Sequence, residues 1–562
     1  MRSPAPRALL ATASLAVALA AADTYVVVLA LTDMMRGVGV GIDALQRATP
    51  IISGFLLGYV AVLPLIGRLA DLVDRQRVLL GCLAVFVAGS AVTALAVDLS
   101  VLVAGRVVQG IGGGGLVPAT LAIVAQLWPP DRRGVPLGIV GAVQELGSVL
   151  GPVLGALVLT VADWRAIFWL NAGAGVVLAV AVVATGGGSL PRVRARVVVL
   201  GVLAAGTTGL SLAAPDSLTT SVSMGAPFAP FGAATSRLAT PIGLIAGALV
   251  IALCVVLLHG ARPVLRQADL IGAVLVGGAL GCVVLTFAVA DPESEVVGPL
   301  GWALLPIALV LVVAYAVHHR RSTHPLVPRG LVRGRLWWAL AVSALVGVAL
   351  VAVIVDVPLL ARLVSSASET EAALVLVRFL LAVPVGALIG GWVLRWVEDG
   401  AAAAVGLGLT AAGLAVMTTW ERGSLEELSA TVVLALTGLG VGLALAPVNN
   451  AALAQAGADT AGTASALVVV ARMVGMVVGL ALLTAIGLHQ YYGAVAALPD
   501  PTDVEALRDA AVTQVSSVFR GAALAAGLGA LCALALGVRR REYRRDHGEH
   551  LRHPSRLLGP GA

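Results

Sequence analysis

GAVQELGSVLGPVLG, residues 141–155, is the stretch on which the fold assignment turns. It is apolar enough to sit in a membrane, yet it carries a carboxylate, Glu145, near its middle. Gly147, Gly151 and Gly155 recur every fourth residue, so on a helix they form one smooth ridge that lets another backbone come close. Pro152 disturbs the hydrogen-bond ladder beside that ridge, which marks the segment as a helix-packing hinge and a seal between two moving halves. Glu145 points away from the ridge, because each residue advances about 100° around a helix. A carboxylate inside a bilayer costs roughly 2.5 kcal/mol or more, so Glu145 is a candidate functional residue.

The flanking sequence places this segment in a membrane. Of 562 residues, 59% are hydrophobic and 12% charged, and the mean hydropathy is +1.00. No soluble domain needs that much apolar side chain; the composition is that of an all-α polytopic membrane protein. Every basic residue is arginine, and the pI is about 9.6. The arginines fall mostly in loops on one side of the membrane, as the positive-inside rule requires, so the charge orients the chain and no nucleic-acid partner is expected. Cys82, Cys254, Cys282 and Cys532 lie in apolar spans and read as small core residues rather than disulfides or ligands. The histidines fall in loops and tails, none at ligand spacing on a helix, so no metal is expected. There is no GxxxxGK[ST] loop, so ATP is not the expected energy source, and no cofactor is expected.

Taken in order, the chain opens on two arginines, Arg2 and Arg7, before an apolar run that imitates a signal peptide but continues past Asp23 to Leu31; it reads as an uncleaved first span. Five more spans follow to about residue 185. Arg75, Arg77, Arg132, Arg133, Arg192, Arg194 and Arg196 then share one side, assigned to the cytoplasm, which puts both termini there. Four central spans are expected near 197–214, 241–258, 270–290 and 299–317, and six more between 336 and 538. That makes about sixteen spans, or fourteen if the first central pair does not cross. The expected divisions are an N-terminal six-helix bundle (1–190), central spans with an outer loop (191–335), a C-terminal six-helix bundle (336–540) and a basic cytoplasmic tail (541–562). Two six-span sets suggest duplicated bundles around a site at the bilayer midplane. The loop 215–240 and the acidic stretch 291–295 fall outside, and a monomer in the cytoplasmic membrane is expected.

Four short motifs then carry a resemblance. GRLADLVDRQR (67–77) resembles the loop signature of the major facilitator superfamily, with Leu72 where a base is usual and Asp74 where Gly is usual. That resemblance implies a cytoplasmic gate built from Gly67, Asp71, Arg75 and Arg77. LVAGRVVQGIGGGG (102–115) resembles the fourth-span signature, around Arg106, Gln109 and Gly110, and GSVLGPVLG (147–155) the fifth-span signature of antiporters. WRAIFWLN (164–171) resembles the start of the sixth span in drug:proton antiporters with extra central spans. ADTYVVV (22–28), QELGSVLGP (144–152) and ASALVVVARMVGMVVG (464–479) are similar to the mycobacterial subgroup known for multidrug efflux and triacylglycerol export. The resemblance implies a proton-coupled secondary-active exporter of lipid or lipophilic compounds, paired with a lipid-carrying lipoprotein at the outer face. A multidrug:proton antiporter is the alternative. It fails over 197–260, and 421–427 is too short for the outer β-hairpin such exporters can carry. A membrane-embedded acyl-transfer enzyme remains a remote alternative without a His/Asp or Cys constellation to support it, and no enzyme is expected.

Asp23, Arg106, Glu145 and Arg472 are the intramembrane charges that matter most. At about 1.5 Å per residue, Asp23 and Arg106 reach the same depth, and Glu145 and Arg472 both lie nearer the middle. Depth permits an Asp23–Arg106 pair and a Glu145–Arg472 pair. Burial favours a neutral carboxylate while a neighbouring arginine favours the ionised one, so the two pairs form a proton-sensitive ion lock. The competing reading is a static pair that fixes helix packing. Asp356, in VIVDVPLL, and Arg378 are secondary candidates, Arg520 can snorkel to the outer surface, and Asn449 and Asn450 read as caps of a helix end. Past the bilayer, residues 488–498 carry an apolar stripe suited to guiding an acyl chain, and Asp503 can cap the helix that follows.

Overall fold

The computed structural model describes residues 6–40, 45–186, 195–213, 221–223, 226–228, 241–288, 301–365, 369–421, 424–500 and 503–537. Arg2, Arg192, Arg194, most of the loop 215–240, the acidic stretch 291–295 and the tail 541–562 lie outside the described residues. Within them are sixteen α-helices. The first six are α1 (Pro6–Gly37), α2 (Leu45–Leu72), α3 (Arg75–Ala94), α4 (Leu99–Leu127), α5 (Gly134–Val161) and α6 (Trp164–Thr185). Four central helices follow: α7 (Ala195–Ala213), α8 (Pro241–Gln267), α9 (Leu270–Ala288) and α10 (Gly301–Arg321). The last six are α11 (Arg335–Ser365), α12 (Glu369–Val393), α13 (Asp399–Met417), α14 (Leu428–Ala456), α15 (Ala461–Ala496) and α16 (Val504–Leu534). Each contains a stretch long and apolar enough to cross a membrane, 16 in all. The protein is a multi-pass membrane protein.

Loop chemistry sets the helix ends. Asp74 and Asp98 accept hydrogen bonds from Arg77 N and Val101 N, each at 3.0 Å, and so start α3 and α4. Asp74, which stands where glycine is usual in the motif, therefore serves as the N-cap of α3. Asp503 caps α16, accepting from Glu505 N at 2.9 Å. Gly457, at φ 71°, ends α14 in the left-handed region that glycine adopts without a Cβ clash. Between α7 and α8, Ser221–Ser223 pairs antiparallel with Ala226–Phe228, a pairing that sequence pattern did not suggest. His318 and His319 close the last turn of α10 rather than lying in a loop.

Helices α1 to α6 pack on one another around Phe55, Leu63, Phe86 and Leu116, and α11 to α16 around Phe379, Leu407, Leu434 and Phe519. Two seams join these bundles, α2 against α15 and α5 against α12. In each, the second helix of one bundle meets the fifth of the other. Glycines set the closeness. Gly67 lies against Gly462 and Ala466, and Gly134 and Gly138 lie against Gly391 and Ala387, so a Cβ at any of these glycines would strike the opposite backbone. Both contacts sit near Arg75, Arg132 and Arg133, which we call the arginine-rich face.

The ridge of α5 requires a correction. Gly147, Gly151 and Gly155 meet Ala18, Ala22 and Val26, all on α1 of the same bundle. They seal α5 to its own partner, not one half to the other. α5 stays helical through Pro152. Spacing reveals a smooth ridge but not the neighbour it receives, and the α5 glycines that press on the other bundle's backbone are Gly134 and Gly138. The second bundle repeats the arrangement, with Gly475 against Ala344 and Gly479 against Val348.

The central helices divide into two pairs. α7 and α8 pack on each other and only lightly on α2, whereas α9 packs on α10, on α2 and on α15. Asp269, between α8 and α9 at φ 53°, accepts from Gly272 N (3.0 Å) and Leu326 N (2.8 Å) and lies 2.6 Å from His318 Nε2. That carboxylate ties the central helices to the loop preceding α11. At 36 residues α15 is about 54 Å long, well beyond a hydrocarbon core of roughly 30 Å.

Candidate functional site

Asp23 and Arg106 form a fully buried pair, at 0% and 1% exposure. Arg106 Nη1 donates to Asp23 Oδ2 at 2.7 Å and to Gln109 Oε1 at 2.7 Å. Gln109 Nε2 donates to Asp23 Oδ1 at 2.8 Å and to Ser90 Oγ at 2.9 Å, and Asn171 Nδ2 donates to Asp23 Oδ1 at 2.6 Å. The guanidinium lies over Phe55, 4.4 Å from the ring centroid, and its Nε donates to Ile51 O at 3.3 Å. Side chains of α4 and α6 thus meet at one carboxylate of α1, and Ser90 of α3 and Phe55 of α2 hold the α4 side chains that bind it. A buried ion pair is tolerated only when its remaining hydrogen-bonding capacity is also met, and here both oxygens of Asp23 are occupied. Ser90 and Asn171 were not singled out from sequence. Asn171 closes the quoted WRAIFWLN motif, which was its available signal; Ser90 is an ordinary small polar residue with none.

The second pair is looser and differently placed. Arg472 Nη1 on α15 lies 3.8 Å from Glu145 Oε1 on α5, and Gln144 Nε2 is 3.4 Å from the same oxygen. This pair crosses from one bundle to the other, whereas Asp23–Arg106 stays inside the first. Beside it, Gln144, Ser343, Asn449 and Arg472 help line a cavity of about 30 Å³, room for water but not for a large cargo. Asn449 donates to Leu445 O at 3.0 Å and Asn450 to Asp399 Oδ1 at 2.8 Å. Neither caps a helix end, because α14 runs on to Ala456. Asp399 also accepts from Arg335 at 2.8 Å.

At the arginine-rich face, Asp71 Oδ1 accepts from Gly462 N (2.6 Å), and Oδ2 from Thr463 N (2.9 Å) and Thr463 Oγ1 (2.5 Å). A carboxylate of one bundle thus caps the N-terminus of a helix of the other, where unpaired N–H groups and the helix dipole favour an anion. Arg75 donates to Ala458 O in the same loop. Arg77 is exposed and contributes its backbone N–H to the Asp74 turn. Arg133 donates to Ala125 O (2.7 Å) and Trp128 O (2.8 Å), satisfying carbonyls at the end of α4. Burial, and then the nearby Arg75, push its guanidinium below the usual arginine value. Thr463 and Arg133 were not read from sequence as site residues.

The secondary candidates separate. Asp356 on α11 is 6% exposed and has no hydrogen-bond or ion-pair partner among the described residues. Arg378 donates to Thr431 Oγ1 (2.9 Å) and Leu425 O (3.3 Å), tying α12 to the start of α14. Arg520 is exposed on α16.

Comparison with known proteins places this geometry among transporters. The signature of the Major Facilitator Superfamily matches residues 13–195. The chain is 37% identical over 495 residues to a triacylglyceride transporter of Mycolicibacterium hassiacum, covering 85% of this chain and 78% of that one. It is 34% identical to the triacylglyceride transporter of Mycolicibacterium smegmatis, covering 93% and 86%. A probable triacylglyceride transporter of Mycobacterium leprae is also 34% identical, covering 95% and 97%. Among solved structures, the fold is similar to the human organic anion transporter MFSD10 (TM-score 0.53, 15% identity, 93% and 100% covered). It is also similar to the proton:xylose symporter XylE (TM-score 0.53, 11% identity, 93% and 94% covered).

Proposed function

The chain belongs to the major facilitator superfamily, and from that premise we propose that it is a proton-coupled exporter of triacylglycerol-like lipid, working by alternating access. The arginine-rich face is the cytoplasmic one, with both termini on that side of the cytoplasmic membrane. The observation that carries the reading is the Glu145–Arg472 pair, an ion pair at 3.8 Å between two bundles already close-packed at one face. Any rocking that parts α5 from α15 must break it. A proton arriving at Glu145 from outside removes the attraction, releases Arg472 and lets the cytoplasmic seams open; loss of that proton inside lets the pair re-form. Asp23 does not have to part from Arg106 for the bundles to rock. Its protonation instead loosens α1 and α6 from α4, which couples the interior of the first bundle to the same gradient. The cargo class is supported by the names of the relatives. The end of α15 beyond the bilayer, with Tyr491 and Tyr492, is where lipid passes to an outer lipoprotein carrier.

The test is reconstitution of the full chain in proteoliposomes, comparing a fluorescent triacylglycerol with a cationic dye under an imposed pH gradient. Gradient-driven triacylglycerol movement that falls to passive leak in both Asp23→Asn and Glu145→Gln is the expected result. Undiminished proton-driven movement in both variants overturns the coupling scheme, and movement of dye alone assigns a multidrug antiporter instead. Deleting 491–510 should preserve folding and abolish transfer to a carrier.

A further inference from the structure

We propose that the arginine-rich face holds the phosphate headgroup of an anionic phospholipid in a cavity between the two bundles. The cavity, about 670 Å³, opens beside the α5–α12 seam, a volume within the range of about 300–1,000 Å³ that holds small-molecule ligands. Its charged lining is Arg7 on α1, Asp131 and Arg132 in the turn before α5, and Arg395 just past α12. Three arginines against one aspartate leave two positive charges in excess. Among the described residues, neither Arg7 nor Arg395 has a carboxylate within ion-pair reach, and Arg132 has only Asp131 at 3.7 Å, both side chains being exposed. Guanidinium groups lining one cavity with a single carboxylate among them suit a phosphate, whose oxygens accept charge-assisted bonds in their fork geometry.

The rest of the lining identifies the phosphate as part of a lipid. Trp128, Ile139 and Leu394 make an apolar wall beneath the arginines. The tryptophan lies just past the end of α4, the level at which this side chain favours a membrane interface. A soluble anion has no use for that wall, whereas the glycerol and first methylenes of a lipid cover it.

The position gives the site a consequence for conformation that does not depend on what is transported. Arg7 and Arg132 belong to the first bundle and Arg395 to the second. Gly134 and Gly391, which also line the cavity, are the residues whose backbones meet at the seam. A headgroup touching both sides binds the seam-closed arrangement better than an open one, and so shifts the population toward it.

The experiment titrates the purified full-length protein in neutral detergent with phosphatidylglycerol, phosphatidylcholine or inorganic phosphate. Retained lipid is read by native mass spectrometry and stability by the thermal midpoint. Phosphatidylglycerol should be retained and raise the midpoint, with phosphatidylcholine much weaker. Arg7→Gln and Arg395→Gln should each weaken retention about fivefold, and Arg333→Gln, exposed and away from the cavity, should bind as the parent does. Arg7 and Arg395 are exposed, so the lipid-free midpoints should stay together and fold loss will not mimic the effect. Equal retention in the double variant overturns the site. Equal response to phosphatidylcholine, or inorganic phosphate reproducing the full shift, overturns its assignment to an anionic lipid.

Discussion

Arg106 is among the largest fully buried side chains in the molecule, and its surroundings are arranged about its charge. Truncating one member of such a pair strands the other, which typically costs about 3–5 kcal/mol. Arg106→Ala should therefore lower the thermal midpoint sharply. Glu145→Gln, at the edge of a small cavity and with a partner at 3.8 Å, should change it little while abolishing gradient-driven transport. The two midpoints separate the pair that also holds the first bundle's packing from the pair that serves coupling alone. Sequence supplied all four charges, because an ionisable residue in an apolar span stands out whatever surrounds it. It did not reveal that Asn171 holds Asp23 or that Ser90 holds Gln109, since a buried amide or hydroxyl is common and its partner depends on three-dimensional neighbours. Nor could depth along a span distinguish a pair inside one bundle from a pair between two.

At the scale of helices, glycine spacing was legible and glycine function was not. Gly151 carries α5 against Ala22, so Gly151→Val should act as overpacking, costing about 1–3 kcal/mol, visible as a lower midpoint. Gly462→Val strikes Gly67 across a seam that the protein can open. That variant should fold normally but lose the closed state, and a cysteine placed at Ala466 should become accessible to alkylation. Asp71→Ala tests the latch from the electrostatic side. Removing an anion from a helix N-terminus costs about 1–2 kcal/mol in partly buried geometry, so the same cysteine should react roughly tenfold more often. The loop motif pointed to Asp71 and Arg75, but their partners, Gly462, Thr463 and Ala458, lie nearly four hundred residues on.

For the whole molecule, hydropathy alone gave the number of helices, because each is longer and more apolar than a soluble core requires. How the central four attach could not be read from it. α7 and α8 lean mainly on each other. Deleting 195–267 removes an even number of crossings and should leave a folded, transporting protein, checked by expression and by the proteoliposome assay. Deleting α9 and α10 should not, because α9 is packed on α2 and α15 together, with Gly277 against Ala61 and Val284 in the first bundle's core. That one placement makes the molecule lopsided. Of the two clefts through which a bilayer molecule can slip sideways between the bundles, the one at α2 and α15 is shuttered by α9. The one at α5 and α12 carries no central helix among the described residues. A lipid that enters sideways from the surrounding leaflet is therefore expected at that single flank of the protein.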